Sequence, residues 1–133
     1  MKRVTVHKND RKKKLGFKSW KIGLLAESIA STFLKAKLYT IREKRYKTPV
    51  GEIDLIIQKG NTLVFVEVKL RKTHTNAIES IHFYQKKRIV QAANFYLAAT
   101  PSTKSLMLRF DVVTLNHFFT IKHLCNAWDE TSN

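Results

Sequence analysis

The chain has 133 residues, 44% of them hydrophobic, with 25 Lys and Arg against 10 Asp and Glu for a formal net charge of +15. That length predicts one domain, and that apolar fraction predicts a true core and excludes a disordered chain. The single cysteine, Cys125, excludes a disulfide framework and a cysteine-based zinc finger, and it fits a reducing cytosol.

The charge predicts a polyanionic partner. Nucleic acid leads, ahead of an anionic membrane surface and a bland solubility surface. Residues 1–50 hold 15 basic and 3 acidic side chains, and residues 51–133 hold 10 basic and 7 acidic ones. Residues 1–19, with Lys12, Lys13 and Lys14 at their centre, read as a flexible basic arm. Such an arm is either a tail without a task or a source of sequence-independent phosphate contacts. The remainder, 20–133, is the folded domain.

From Trp20 the pattern turns helical, with Ile22, Leu25, Ala26, Ile29, Phe33 and Leu34 at three- and four-residue steps. Ser19 is the expected N-cap and Lys37 the expected end. No apolar run approaches the roughly 20 residues that span a bilayer. No signal peptide is expected either, because Glu27, Ser28, Ser31 and Lys35 interrupt the early apolar stretch.

Residues 39–47 alternate loosely and predict a first strand. Thr48-Pro49-Val50-Gly51 predicts a turn. Residues 52–58 and 62–70 predict two strong strands joined at Gly60-Asn61, a dipeptide suited to a hairpin. Residues 79–99 predict one long helix with Ile81, Tyr84, Ile89, Ala92, Ala93, Tyr96 and Leu97 on its buried stripe, stopped by Pro101. A strand is expected over 106–115, then a short strand and a final helical turn over 117–128. The order α-β-β-β-α-β predicts an α/β domain, a mixed sheet with helices packed on it.

The hairpin carries the chemistry. Side chains alternate faces along a strand. Pairing Lys59 with Thr62 places Leu55 opposite Val66 and Ile53 opposite Val68, so the aliphatic rows match. The same register places Asp54 opposite Glu67 and Glu52 opposite Lys69. Two facing carboxylates repel across strands, so something must compensate. Lys69 is one answer, and a hard divalent cation such as Mg²⁺, which takes oxygen ligands, is another. A metal held this way polarises a phosphoryl oxygen and activates water, while an adjacent lysine stabilises charge on the phosphate. Alternatively Asp54 and Glu67 are strand charges balanced by nearby cations.

Gly51-Glu52-Ile53-Asp54-Leu55-Ile56, Phe65-Val66-Glu67-Val68-Lys69 with Arg71, and Arg109-Phe110-Asp111-Val112-Val113 resemble the signature of the YraN-like family of uncharacterised bacterial proteins. The likeness covers roughly residues 20–128. The family belongs to the restriction-endonuclease-like superfamily, marked by the PD-(D/E)xK pattern, and is similar to archaeal Holliday junction resolvases. The resemblance implies a three-layer core with a mixed central sheet flanked by helices. It implies that Asp54 and Glu67 bind Mg²⁺ or Mn²⁺ and that Lys69 is the catalytic lysine. It further implies that the Val68 carbonyl joins the metal and that Glu27, on the first helix, completes the acidic cluster. The chain has Ala26-Glu27 where the family often has Gly-Glu, and Gln85 where it often has Lys. Resolvase relatives work as homodimers, so a dimer is expected by analogy.

Arg71, Lys72, Gln85, Lys86 and Arg88 are candidate nucleic-acid contacts beside the site, or a solvated face. Glu52 is expected to pair with Lys69 or Arg71, and Arg109 with Asp111. The five histidines show no metal-ligand spacing, and Cys125 is expected to be buried and inert. The expected function is metal-dependent DNA endonuclease activity, on branched or otherwise structured DNA, in the cytoplasm and at the nucleoid. The rivals are a non-catalytic DNA- or RNA-binding protein of the same fold and a basic structural partner of RNA.

Overall fold

The computed structural model describes residues 2–129, with side chains described from Ser19 to Asp129. Helix α1 spans Lys2–Ala36 and is followed by strands β1 (Thr40–Thr48), β2 (Gly51–Lys59) and β3 (Thr62–Leu70). Helices α2 (His74–Glu79) and α3 (Phe83–Ala99) and a 3₁₀ turn lead to β4 (Met107–Leu115) and β5 (Ile121–Trp128). The five strands lie in chain order across one sheet, antiparallel except for the β3–β4 pair. The parallel step needs a crossover, and α2 and α3 supply it. The α-β-β-β-α-β order of the expected restriction-endonuclease-like core is therefore present.

Two apolar clusters sandwich the sheet. On one face Ile56, Leu63, Phe65, Phe110 and Val112 pack against Ile89, Ala92, Ala93 and Tyr96 of α3. On the other, Leu55, Ile57, Val64, Val66, Val113 and Leu115 pack against Ala26, Ala30 and Leu34 of α1. These three α1 residues stand four apart, which puts them on one helix face. Ile22 and Leu25, expected in that stripe, are exposed.

Helix α1 runs through Ser19, which is an interior helical residue rather than the N-cap. The side chains of Lys12, Lys13 and Lys14 lie outside the described residues. At its other end, the Leu38 amide donates to the Lys35 carbonyl at 2.9 Å and the Tyr39 amide to the Leu34 carbonyl at 3.1 Å. This is a Schellman motif, and it places Leu38 at φ 71°. Leu38 is 78% exposed, so its side chain returns little for a backbone conformation that costs about 1–2 kcal/mol in a non-glycine residue. Leu38→Gly is expected to raise stability by about 1 kcal/mol, read as a higher urea midpoint at unchanged slope.

Three expectations need correcting. The long second helix is broken at Ser80-Ile81-His82, and the Thr73 side chain caps the separate α2. Ile81, buried in the α3-side cluster, is held by a turn between the two helices. The tail after β4 is a full edge strand and not a short strand with a helical turn. A register shift between Phe110 and Val112, with Asn126 at φ 53°, lets β5 bend so that Trp128 stacks on Phe110 at 5.6 Å. Ile53 packs with Ile56 on the α3 face, while Leu55 and Ile57 pack on the α1 face. The expected opposition of Ile53 to Val68 and of Glu52 to Lys69 is absent, because the β2–β3 ladder runs from Lys59↔Thr62 only to Leu55↔Val66.

Candidate active site

The ladder ends where the chemistry begins. Beyond Leu55 the Asp54 side chain takes over: its Oδ2 accepts the Val68 amide at 2.8 Å. A carboxylate thus replaces a backbone carbonyl as partner, and the strands separate around it. On the neighbouring strand Arg45, in the β1 position that faces Asp54, adopts φ 47°. Backbone strain of this kind persists only where the surroundings hold it, and it clusters at functional sites.

Glu67 is buried on β3, next to Asp54. Its Oε1 accepts from Gln85 Nε2 of α3 at 2.8 Å and lies 3.3 Å from Lys69 Nζ. Lys69 follows Glu67 by two residues, so alternation puts both on one strand face. Gly51 makes the approach of α3 tight, since a Cβ there would meet the Arg88 carbonyl oxygen at 2.8 Å. Glu27 faces the pair from α1, and its Oε2 lies 3.5 Å from Arg45 Nε.

Burial is the main cause that pushes all three carboxyls above their ordinary range. Glu67 is pushed up to about 8, by burial and then by the charge of Asp54, against the pull of Lys69. Glu27 is pushed up to about 7, by burial and then by Asp54, with Arg45 opposing. Asp54 is raised by burial, against the Val68 amide and Lys69.

Among the described residues, two clefts open on this pair. The first, about 460 Å³, is lined by Glu27, Asp54, Glu67, Val68, Lys69, Arg71 and His117. The second, about 580 Å³, is lined by Glu52, Asp54, Glu67, His82, Tyr84, Gln85 and Arg88. The structure therefore gathers Glu27, Asp54, Glu67, Val68, Lys69, Arg71, Gln85 and Arg88 around one centre. Lys72 lines neither cleft, and Lys86 instead places Nζ 6.0 Å above the Trp128 ring. The expected Glu52 pair with Lys69 or Arg71 is not formed: Lys69 pairs with Glu67, and Glu52 is exposed on the second cleft. Arg45, His117 and Tyr84 were not marked as site residues by the sequence. Tyr84, expected on the buried stripe of α3, is 76% exposed.

A model of the uncharacterised protein family UPF0102 matches residues 26–115, a stretch that holds every residue of the carboxylate cluster. The chain belongs to this family. A UPF0102 protein of Bradyrhizobium diazoefficiens is 38% identical over 114 residues, 86% of each chain. One of Parvibaculum lavamentivorans is 39% identical over 113 residues, 85% of each. One of Azorhizobium caulinodans is 38% identical over 107 residues, 80% of this chain and 82% of the relative. The UPF0102 match runs from the α1 segment that carries Glu27 to the end of β4, and leaves β5 outside it.

A second polar cluster of this UPF0102 chain sits at the β4–β5 edge. Arg109 donates to both Asp111 oxygens at 2.8 Å and to the Tyr39 hydroxyl at 2.7 Å. His123 Nε2 lies 2.7 Å from Asp111 Oδ2, and its Nδ1 2.7 Å from Lys37 Nζ. Burial would raise the Asp111 carboxyl, but the hydrogen bonds from His123, Arg109 and the Asn126 amide prevail and hold it at about 2. Ligand atoms of Asp111, His123 and Cys125 lie within 4.8 Å of one another, a spacing that a metal ion could use. Arg109 and Lys37 already neutralise this group, so it ties the end of α1 to the sheet edge as an ion-pair network. Cys125, expected to be buried, is exposed because β5 is an edge strand.

Proposed function

We propose that the protein is a metal-dependent endonuclease that hydrolyses phosphodiester bonds in DNA, with branched or otherwise structured DNA as its substrate. One observation carries the reading: the buried Glu67 carboxyl and the half-buried Asp54 carboxyl meet at the junction of two open clefts, with the Lys69 ammonium 3.3 Å from Glu67. Active sites are where titratable groups with perturbed pKa values gather in a cleft.

The donor set fits a hard divalent cation. Three carboxyls, raised above their ordinary range by burial in spite of Arg45 and Lys69, all offer oxygen, the donor that Mg²⁺ and Mn²⁺ accept. Asp54, Glu67, the Val68 carbonyl and Glu27 would hold it. A bound divalent ion supplies the charge that polarises a phosphoryl oxygen and lowers the pKa of water. The chain's own residues do the rest. Gln85 fixes the Glu67 carboxyl through Oε1. Lys69 presents an ammonium to the charge that develops on phosphate. Arg71 and Arg88, one on each cleft, grip the flanking backbone. The +15 charge draws the polyanion in. The basic arm and Lys72 extend that grip, a homodimer would match a junction of two-fold symmetry, and the cytoplasm, at the nucleoid, is the compartment such a substrate implies. No helix among the described residues is long and apolar enough to cross a membrane.

The test is cleavage of labelled duplex, single-stranded, four-way-junction and RNA substrates in Mg²⁺, Mn²⁺ or EDTA, by the wild type and Asp54→Ala. Metal-dependent cutting that vanishes in the variant is expected. Salt-sensitive binding with no cutting under any metal, equal in both proteins, would overturn the enzyme and leave a nucleic-acid-binding module.

A further inference from the structure

The two clefts share Asp54 and Glu67 but differ in chemistry. Among the described residues, the first has no Phe, Tyr or Trp in its lining. The second has Tyr84, and that ring is 76% exposed. Phe83 backs it edge-on at 5.5 Å, itself 43% exposed. Two adjacent aromatic rings turned to solvent at the start of a helix contribute little to the core. Arg88 stands four residues on from Tyr84, so the two share a helix face and both line the cleft.

An exposed ring beside a guanidinium, next to a phosphodiester centre, is the combination with which proteins hold unpaired nucleotides. The ring stacks on a base and the cation meets the backbone. A cleft of about 580 Å³ falls within the range that encloses one small ligand, which suits a single nucleotide. A base inside a continuous duplex hides its face against its neighbours, so only an unpaired or extruded base can lie on Tyr84.

We propose that the second cleft is a nucleobase subsite in which Tyr84 stacks an unpaired base next to the scissile phosphate. This rests on the nuclease reading and sharpens it: the preferred substrate carries unpaired nucleotides at the cut, as at a flap, gap or junction, and is not continuous duplex. Base stacking on one aromatic side chain is worth about tenfold or more in affinity.

The experiment measures binding by fluorescence anisotropy in Ca²⁺, for a duplex and for the same duplex with a short single-stranded flap. A 2-aminopurine marks the first unpaired position. The proteins are the wild type, Tyr84→Ala and Tyr84→Phe. The wild type is expected to prefer the flap and to quench the reporter. Tyr84→Ala is expected to lose about tenfold on the flap, with little change on the duplex and no quenching, and Tyr84→Phe to keep both. The exposed position leaves the fold of both variants intact, checked by equal thermal midpoints. If Tyr84→Ala binds and quenches like the wild type, or weakens equally on both DNAs, the subsite is overturned. A wild type that cuts duplex and flap alike would then still leave the nuclease standing. If the wild type neither binds nor cuts either DNA, the nuclease and the subsite fall together.

Discussion

Lys69→Met is expected to slow metal-dependent DNA cleavage by about 10²–10³-fold while the protein stays folded and still binds DNA. The size follows from what the ammonium does. Its side chain is 14% exposed, so its charge acts at short range with little water to screen it, and Nζ lies 3.3 Å from Glu67 Oε1. A charge fixed there is in place before substrate arrives and needs no reorganisation when the phosphate gains charge. Methionine keeps an unbranched stem of similar reach, which preserves the packing and removes only the charge. Removing a cation from beside Asp54 and Glu67 should not weaken their hold on a divalent ion, and should tighten it. Single-turnover cleavage in Mg²⁺ and calorimetric titration of the metal therefore move apart, the first falling and the second holding or rising. Wild-type cleavage by the variant would show that Lys69 serves only to balance Glu67.

Glu67→Gln is expected to have two effects of opposite sign. Without metal it stabilises the protein, by on the order of 3 kcal/mol at pH 7. The carboxyl is held at about 8 in the fold against an ordinary 4.5, so the fold favours the protonated form. Wild-type stability is then highest below pH 4.5 and falls as the pH rises towards about 8. Above that Glu67 is ionised in folded and unfolded chains alike, and the loss is complete. Glu27, pushed up to about 7, adds a fall of the same sign over a narrower window. Glutamine removes the ionisation and can still accept the bonds from Gln85 and Lys69. The second effect appears with Mg²⁺: the wild type gains stability, as any ligand that binds only the folded state requires, and the variant gains little. Urea denaturation from pH 5 to pH 9, in EDTA and in Mg²⁺, reads both. A variant less stable than the wild type in EDTA, or one that keeps the full response to metal, would remove Glu67 from the site.

Both predictions begin with a hairpin that the sequence marks clearly. Gly60-Asn61 closes it, and alternation sets Leu55 opposite Val66, as observed. Turn chemistry and period-two burial act between neighbours, so a string of residues carries them. Helix α1 likewise brings Glu27 to Asp54 and Glu67 because its apolar face must cover the sheet. The first four strands, their mixed pairing and the location of the carboxylate cluster were legible to that extent, whereas β5 was expected to be a short strand with a helical turn.

Other features have no local signal. Ile53 leaves its alternating row because Asp54 spends a carboxylate oxygen on the Val68 amide, an exchange that depends on two strands being in place. The break between α2 and α3 depends on Ile81 reaching a core that its own segment does not contain. Tyr84 matches the helical stripe, yet in the first turn of α3 it is turned out to solvent. Lys37, Tyr39, Arg109, Asp111 and His123 form one network across segments up to 86 residues apart. The sequence by itself determined the closing turn and its Leu55–Val66 register, the paired acids and the basic charge, since composition and contacts a few residues apart carry them. Only the tertiary structure decided which side chains meet at the Asp54–Glu67 junction and which ring faces the second cleft. The packing angles between layers come from many distant contacts at once, and no local pattern encodes them.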